Sequence, residues 1–182
     1  IGKALTDILK DKTTVKREAA FIAMERHAGC REGGKGYPCR AIRTKEYLYI
    51  RNFDPDRWPA GSPERKHCVR HIRYGEVDPS PTKTVMMDEP KYAKLADLAF
   101  GKRPAEELYL ISNDPHQLRN LADAKEFQKT RDLLRQQLDD HLKKSGDPRL
   151  TGKPALWDYY PFYRAPKFPG WKVAPMPAEF QK

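Results

Sequence analysis

No stretch of this 182-residue chain is long and apolar enough to cross a bilayer, so no membrane-spanning helix is expected in it. Cysteine is scarce: Cys30, Cys39 and Cys68 are odd in number and match neither a CxxC nor a zinc-ligand spacing. That excludes a cysteine-dense scaffold. One disulfide remains open, and the spacing does not say which two cysteines would form it. His67 and His71 would share a face of a helix and flank Cys68, yet no further ligand stands at a recognisable spacing, so no metal site is assigned. The chain also lacks a glycine-rich phosphate loop, an HExxH pair and a GxSxG elbow, which removes three self-contained catalytic designs. Cys30 near His27 could be drawn as nucleophile and base, but no third group orients them. There is no internal repeat and no low-complexity run. The opening residues carry neither the apolar core nor the cleavage site of a signal peptide, and they begin mid-pattern without a methionine. A segment upstream is therefore expected.

What the chain has in quantity is charge. Charged residues make up 33% and hydrophobic residues 38%, the formal net charge is +10, and the mean hydropathy is −0.86. A basic balance of this size serves solubility or a polyanionic partner such as nucleic acid or a sulfated glycan. The aromatic content argues against a disordered chain.

Hydrophobic patterning gives an α+β expectation. Residues 18–24 form a short apolar run ending at Glu25, Arg26 and His27, and a glycine-rich loop spans 28–36. Residues 37–43 and 47–53 then flank a short polar turn, the pattern of an antiparallel hairpin. Alternation puts Tyr47, Tyr49 and Arg51 on one face and Leu48, Ile50 and Asn52 on the other. Pro38 has no N–H for the ladder and belongs at a strand start or an edge. Residues 54–63 read as loop and 64–89 as irregular and charged, with a helix over 90–100 that stops at Gly101. A strand falls within 103–111 and a turn at 112–115. The longest helix follows. Asp123 and Glu126 suggest a capping box, Phe127, Leu134, Leu138 and Leu142 give one apolar stripe with Leu133 beside it, and Gly146 with Pro148 ends the helix. Such a stripe must be buried, most simply on the sheet. The architecture expected is thus a small antiparallel β-sheet packed against a long C-terminal helix. Trp157, Tyr159, Tyr160, Phe162, Tyr163, Phe168 and Trp171, interspersed with prolines from Pro154 onward, suggest a tail that wraps the body, with base-stacking as the alternative.

The chemistry-bearing cluster is Glu25, Arg26 and His27: an acceptor, a permanent cation with a planar fork, and a titrating ring. Those are parts for gripping an anionic, hydroxyl-rich ligand, and equally those of a solvated strand end.

Residues 25–27, then 36–53 (GYPCRAIRTKEYLYIRNF), then 56–61 (DRWPAG) together resemble the C-terminal region of formylglycine-dependent sulfatases, in the heparan N-sulfatase (sulfamidase)-like branch. Ile1 to Lys10 is similar to the family's "dGkSLlplLkg" segment, and Asp78 to Lys83 resembles its "D-x-SPTK". Gly101 to Tyr109, with Asn113 to Pro115 and Asn120 to Ala122, is similar to its "gkRPaEELYdl..DP.q..NlA". The resemblance implies three parts: the end of a catalytic domain over 1–16, a sulfatase C-terminal subdomain over 17–150, and a Pro/aromatic-rich tail over 151–182. It departs from the family at Cys39, where relatives carry Met, and at Ala23 and Met24, where Gly-Arg is usual. The family's nucleophile is a formylglycine made in a C/S-x-P-x-R motif, beside a calcium site, and neither is found in this sequence.

The resemblance therefore implies a subdomain that completes a substrate pocket without catalytic residues, metal or cofactor of its own. Calcium and formylglycine would belong to an N-terminal catalytic domain outside this chain. Glu25, Arg26, His27 and Lys83 would contact a sulfated carbohydrate, and an exposed domain interface could support self-association. A periplasmic, extracellular or lysosomal setting is implied. The competing expectation is a stand-alone basic module for polyanionic glycan or nucleic acid.

Overall fold

The computed structural model describes residues 6–10, 18–150, 156–161 and 173–181. Strands β1 (Ala19–Met24), β2 (Cys39–Thr44), β3 (Tyr47–Asn52) and β4 (Glu106–Leu110) form one antiparallel sheet in the order β1-β2-β3-β4. The helices are α1 (Thr6–Leu9), α2 (Pro81–Asp88), α3 (Ala93–Phe100), α4 (Gln128–Ser145) and α5 (Leu156–Tyr159). The fold is α+β, as the patterning predicts. The described residues fall into two compact units, drawn from 1–22, 40–50 and 107–152, and from 23–39, 51–106 and 153–182.

In the first unit, the β2–β3 turn is pinned by one side chain. Thr44 Oγ1 accepts from the Tyr47 N–H at 2.9 Å and donates back to the Tyr47 carbonyl at 3.3 Å, so a two-residue connection suffices. Ile42, Tyr49 and Leu108 occupy one register set of the sheet and are fully buried. The alternate set supplies Ala41, Leu48 and Tyr109, with Ile50 and Ile111 packed against them. Both predicted faces of β3 therefore carry buried side chains.

Leu134, Leu138 and Leu142 of α4 are buried while Leu133 is exposed, which is what a stripe at helical spacing requires. The ring of Phe21 on β1 stacks on His141 of α4 at 3.7 Å, and Arg40 of β2 grips Asp147, just past the helix, through Nε at 2.7 Å. Gly146 takes the left-handed conformation at φ 70° and donates to the carbonyls of Leu142 and Lys143, so the helix ends where expected. Its start differs. A 3₁₀ turn, Lys125–Phe127, leads into α4, and neither Ala124 nor Phe127 at the two cap positions makes a side-chain cap hydrogen bond. The expected Asp123–Glu126 box does not form, because the tighter turn carries the chain into the helix one turn later.

In the second unit, Pro38 is fully buried immediately before β2, and its carbonyl accepts from the Phe53 N–H. The segment expected to be irregular contains α2. Ser80 caps it by accepting from the Lys83 N–H at 3.1 Å, and Pro81 supplies the first turn, where its missing N–H costs nothing. The helix expected over 90–100 opens with a 3₁₀ turn, Pro90–Tyr92. Of the tail, Asp158 is buried and takes two bonds, from the Gly36 N–H at 2.8 Å and from Arg57 Nη2 at 2.9 Å. Ala174 donates to the Gly33 carbonyl at 3.2 Å. These contacts fit a wrapping tail. Pro154, Phe162, Tyr163, Phe168 and Trp171 lie outside what is described.

Candidate functional site

All the candidate residues lie in the second unit. Glu25, Arg26 and His27 follow directly on the last residue of β1, and the backbone there is tied down. The Glu25 carbonyl accepts from the Tyr37 N–H at 2.7 Å. Opposite it, Gly36 packs so closely that a Cβ would sit 2.7 Å from that same oxygen, so only glycine fits. Arg57 and Asp158 hold Gly36 from both sides, by its carbonyl and its N–H.

Arg26 is half-buried. It spans two backbone carbonyls, Gly34 at 3.0 Å through Nη1 and Tyr160 at 2.8 Å through Nη2. Burial pushes its guanidinium below its ordinary value and Asp158 opposes that shift. It remains a cation, since guanidinium does not lose its proton in proteins.

His27 points into solvent, with 77% of its side chain exposed, yet it is not free to swing. Its Nδ1 lies 2.8 Å from Glu76 Oε2. Glu76 is itself held. Its Oε1 accepts from Arg31 Nη1 at 2.8 Å and from the Ala28 N–H at 3.4 Å. Arg31 is buried, and it also donates to the carbonyls of Trp58 at 2.7 Å, Pro59 at 2.6 Å and Lys35 at 3.4 Å. The result is a relay from a buried cation through a mostly buried carboxylate to an exposed imidazole. Holding Nδ1 in this way leaves Nε2 directed outward, able to donate to or accept from a ligand.

Lys83 is placed differently from the other three. It is buried on α2, and its ammonium donates to the carbonyls of Arg73 at 2.6 Å, Val77 at 2.7 Å and Tyr74 at 2.9 Å. Three donors meet three acceptors, so none is left for a ligand. Lys83 acts on the segment that carries Glu76. That segment is bent hard: Tyr74 sits at φ 48° and His71 at φ 52°, and Tyr74 stacks on Phe100 at 4.9 Å. Glu25, Arg26 and His27 are thus neighbours along the chain after β1, with Arg26 turned to the Gly34 and Tyr160 carbonyls and His27 to Glu76, while Lys83 belongs to the scaffold behind Glu76.

Sequence reasoning missed Arg31, Glu76 and Asp158. Arg31 stood in a glycine-rich loop and Glu76 in a segment read as irregular, with no local spacing to link them. Among the described residues no group of three or more His, Cys, Asp or Glu could hold a metal ion.

No family model matches the chain. Over 111 residues, 59% of its length, it is 30% identical to an ulvan-active sulfatase of Formosa agariphila. The chain spans about 17% of that relative's length. Among solved structures it is similar to that of BT4656 in complex with its substrate D-glucosamine-2-N,6-O-disulfate, with a TM-score of 0.43 and 18% identity, over 81% of this chain and 21% of that one.

Proposed function

We propose that this chain is the C-terminal subdomain of a sulfatase, and that it lends Glu25, Arg26 and His27 to the rim of a pocket whose catalytic floor lies on another domain. The observation that carries the reading is the exposed His27 ring, locked by Glu76 and Arg31 beside the Arg26 cation, in a chain similar over 111 residues to a sulfatase. A free surface histidine needs no buried arginine behind it; a ligand contact gains from one, because a preset side chain loses less entropy on binding. The expected ligand is a sugar bearing sulfate or sulfamate groups. Arg26 would attract its anionic groups, His27 would bond a hydroxyl or a sulfuryl oxygen, and Glu25 would accept from a hydroxyl. The finer assignment, to sulfamate on glucosamine, rests on the resemblance of residues 25–27 and 36–61 to the sulfamidase-like branch.

A neighbouring domain also suits β1. This edge strand exposes Ile22 and Met24, at 51% and 43%, and an uncovered apolar edge invites another polypeptide.

The test has two arms. The purified chain alone is expected to hydrolyse no sulfated saccharide, with or without calcium. Covalently continuous with a sulfatase catalytic domain, it is expected to support turnover, and comparison of N-sulfated with O-sulfated glucosamine tests the branch. Turnover by the chain alone would overturn the proposal, and so would a catalytic domain that works equally well without it. Salt-sensitive binding of DNA in place of a sulfated sugar would favour the stand-alone basic module.

A further inference from the structure

Cys30 and Cys68 meet in the interior of the second unit. Both are buried, at 0% and 1% exposure, and their sulfurs lie 2.8 Å apart. Two backbone bonds flank the pair and fix its approach: the Val69 N–H donates to the Gly29 carbonyl at 2.9 Å, and the Ser62 N–H to the Cys30 carbonyl at 2.7 Å. Gly75 closes the other side. A Cβ there would stand 2.5 Å from Cys30 Sγ and closer still to Cys68 Sγ, so the chain keeps space for sulfur and for nothing else. Cys39, by contrast, opens β2 and is only partly buried.

We propose that Cys30 and Cys68 form a structural disulfide that ties the loop carrying His27 and Arg31 to the segment carrying Glu76. The sulfurs need close only about 0.8 Å to reach a bond length of about 2.05 Å. The chemistry is favourable at Cys68. The hydrogen bond from Cys30, joined by the N–H groups of Arg70 and Ile72, draws its thiol down to about 6, against the opposing effect of burial.

The oxidant is the disulfide of a thiol oxidoreductase or of a small-molecule disulfide. One cysteine thiolate attacks that disulfide and expels a thiolate, leaving a mixed disulfide. The second cysteine, after losing its proton, attacks the first cysteine's sulfur in that mixed disulfide, forms the Cys30–Cys68 bond and expels the oxidant's remaining sulfur as a thiolate. The two cysteines together lose two protons and two electrons, and the oxidant leaves as two thiols. Such a bond persists in an oxidising compartment. It closes a loop that joins residues 38 apart and that contains Trp58 and Pro59, the carbonyl partners of Arg31. The inference does not depend on the sulfatase reading, because its test uses no substrate.

The protein is secreted into a bacterial periplasm, unfolded in iodoacetamide without reductant, and digested. The expected result is a peptide pair joined through Cys30 and Cys68, lighter by two hydrogens than its separated parts, with Cys39 carbamidomethylated. Reductant should abolish that pair and lower Tm by about 10 °C, the size expected for releasing a loop of this length in a domain of this size. Cys39→Ser should keep both the pair and the Tm. Carbamidomethylation of Cys30 and Cys68 in most molecules, a cross-link through Cys39, or a Tm that reductant leaves unmoved would each overturn the proposal.

Discussion

Replacing Lys83 by methionine should lower the stability of the protein by about 3 kcal/mol or more. The stem of methionine fills the same channel, so little packing is lost. What disappears is the ammonium. The carbonyls of Arg73, Tyr74 and Val77 converge on it within 2.9 Å, and without it three acceptors face one another with no donor among them. Burial pushes the Lys83 ammonium below its ordinary value, the mark of a charge held away from solvent. Lys83→Arg should not rescue, because a planar fork cannot present three donors to carbonyls that surround a point. Thermal unfolding should show a fall of about 10 °C for Lys83→Met. A fall of under about 2 °C would mean that water replaces the ammonium and that the segment 73–77 does not depend on it.

Arg31→Met should cost about 3 kcal/mol as well, for a different reason. Its guanidinium serves the Glu76 carboxylate and the backbone oxygens of Trp58, Pro59 and Lys35 at once. Removing it leaves a carboxylate whose side chain is only 12% exposed without its cation. The expected signature is coupling. Glu76→Gln removes the charge that Arg31 compensates, so the double variant Arg31→Met/Glu76→Gln should be more stable than the sum of the two single losses predicts, by about 1 to 3 kcal/mol. Urea unfolding of the four proteins measures this directly. Strict additivity would show that the two side chains stabilise the unit independently, and the relay to His27 would lose its foundation.

The parts of the fold that were legible in the sequence are those set by short-range period. Leu134, Leu138 and Leu142 announce the buried face of α4, Gly146 its end, and the β2–β3 hairpin follows from two strand-like runs around Lys45 and Glu46. Elements with weak patterning were harder to read. Helix α2 holds only eight residues and mixes polar with apolar side chains, so the sequence pattern gives no helical period within the charged stretch 64–89. The Asp123–Glu126 pair has the spacing of a box, but a 3₁₀ turn between Ala124 and α4 gives the entry another geometry.

The site divides in the same way. Glu25, Arg26 and His27 adjoin in sequence and could be singled out as a cluster. Arg31 and Glu76 stand 45 residues apart and meet only because the loop from Trp58 to Val77 folds back on itself. Lys83 carries a charge of the right sign for a sulfated ligand, and nothing in the sequence distinguishes an exposed ammonium from one enclosed by carbonyls. The same holds for Cys30 and Cys68, whose encounter depends on Gly75 and on the Val69–Gly29 backbone bond.

The most direct test of the central claim is the KM for a sulfated saccharide, before and after His27→Ala, of a sulfatase catalytic domain made covalently continuous with this chain. Because His27 is exposed and Glu76 keeps Arg31, the substitution should leave the unfolding midpoint unchanged. Loss of one directed hydrogen bond to the sugar should raise KM about 10-fold. An unchanged KM together with an unchanged kcat/KM would contradict the account, and would make the Arg31–Glu76–His27 relay a feature of loop stability alone.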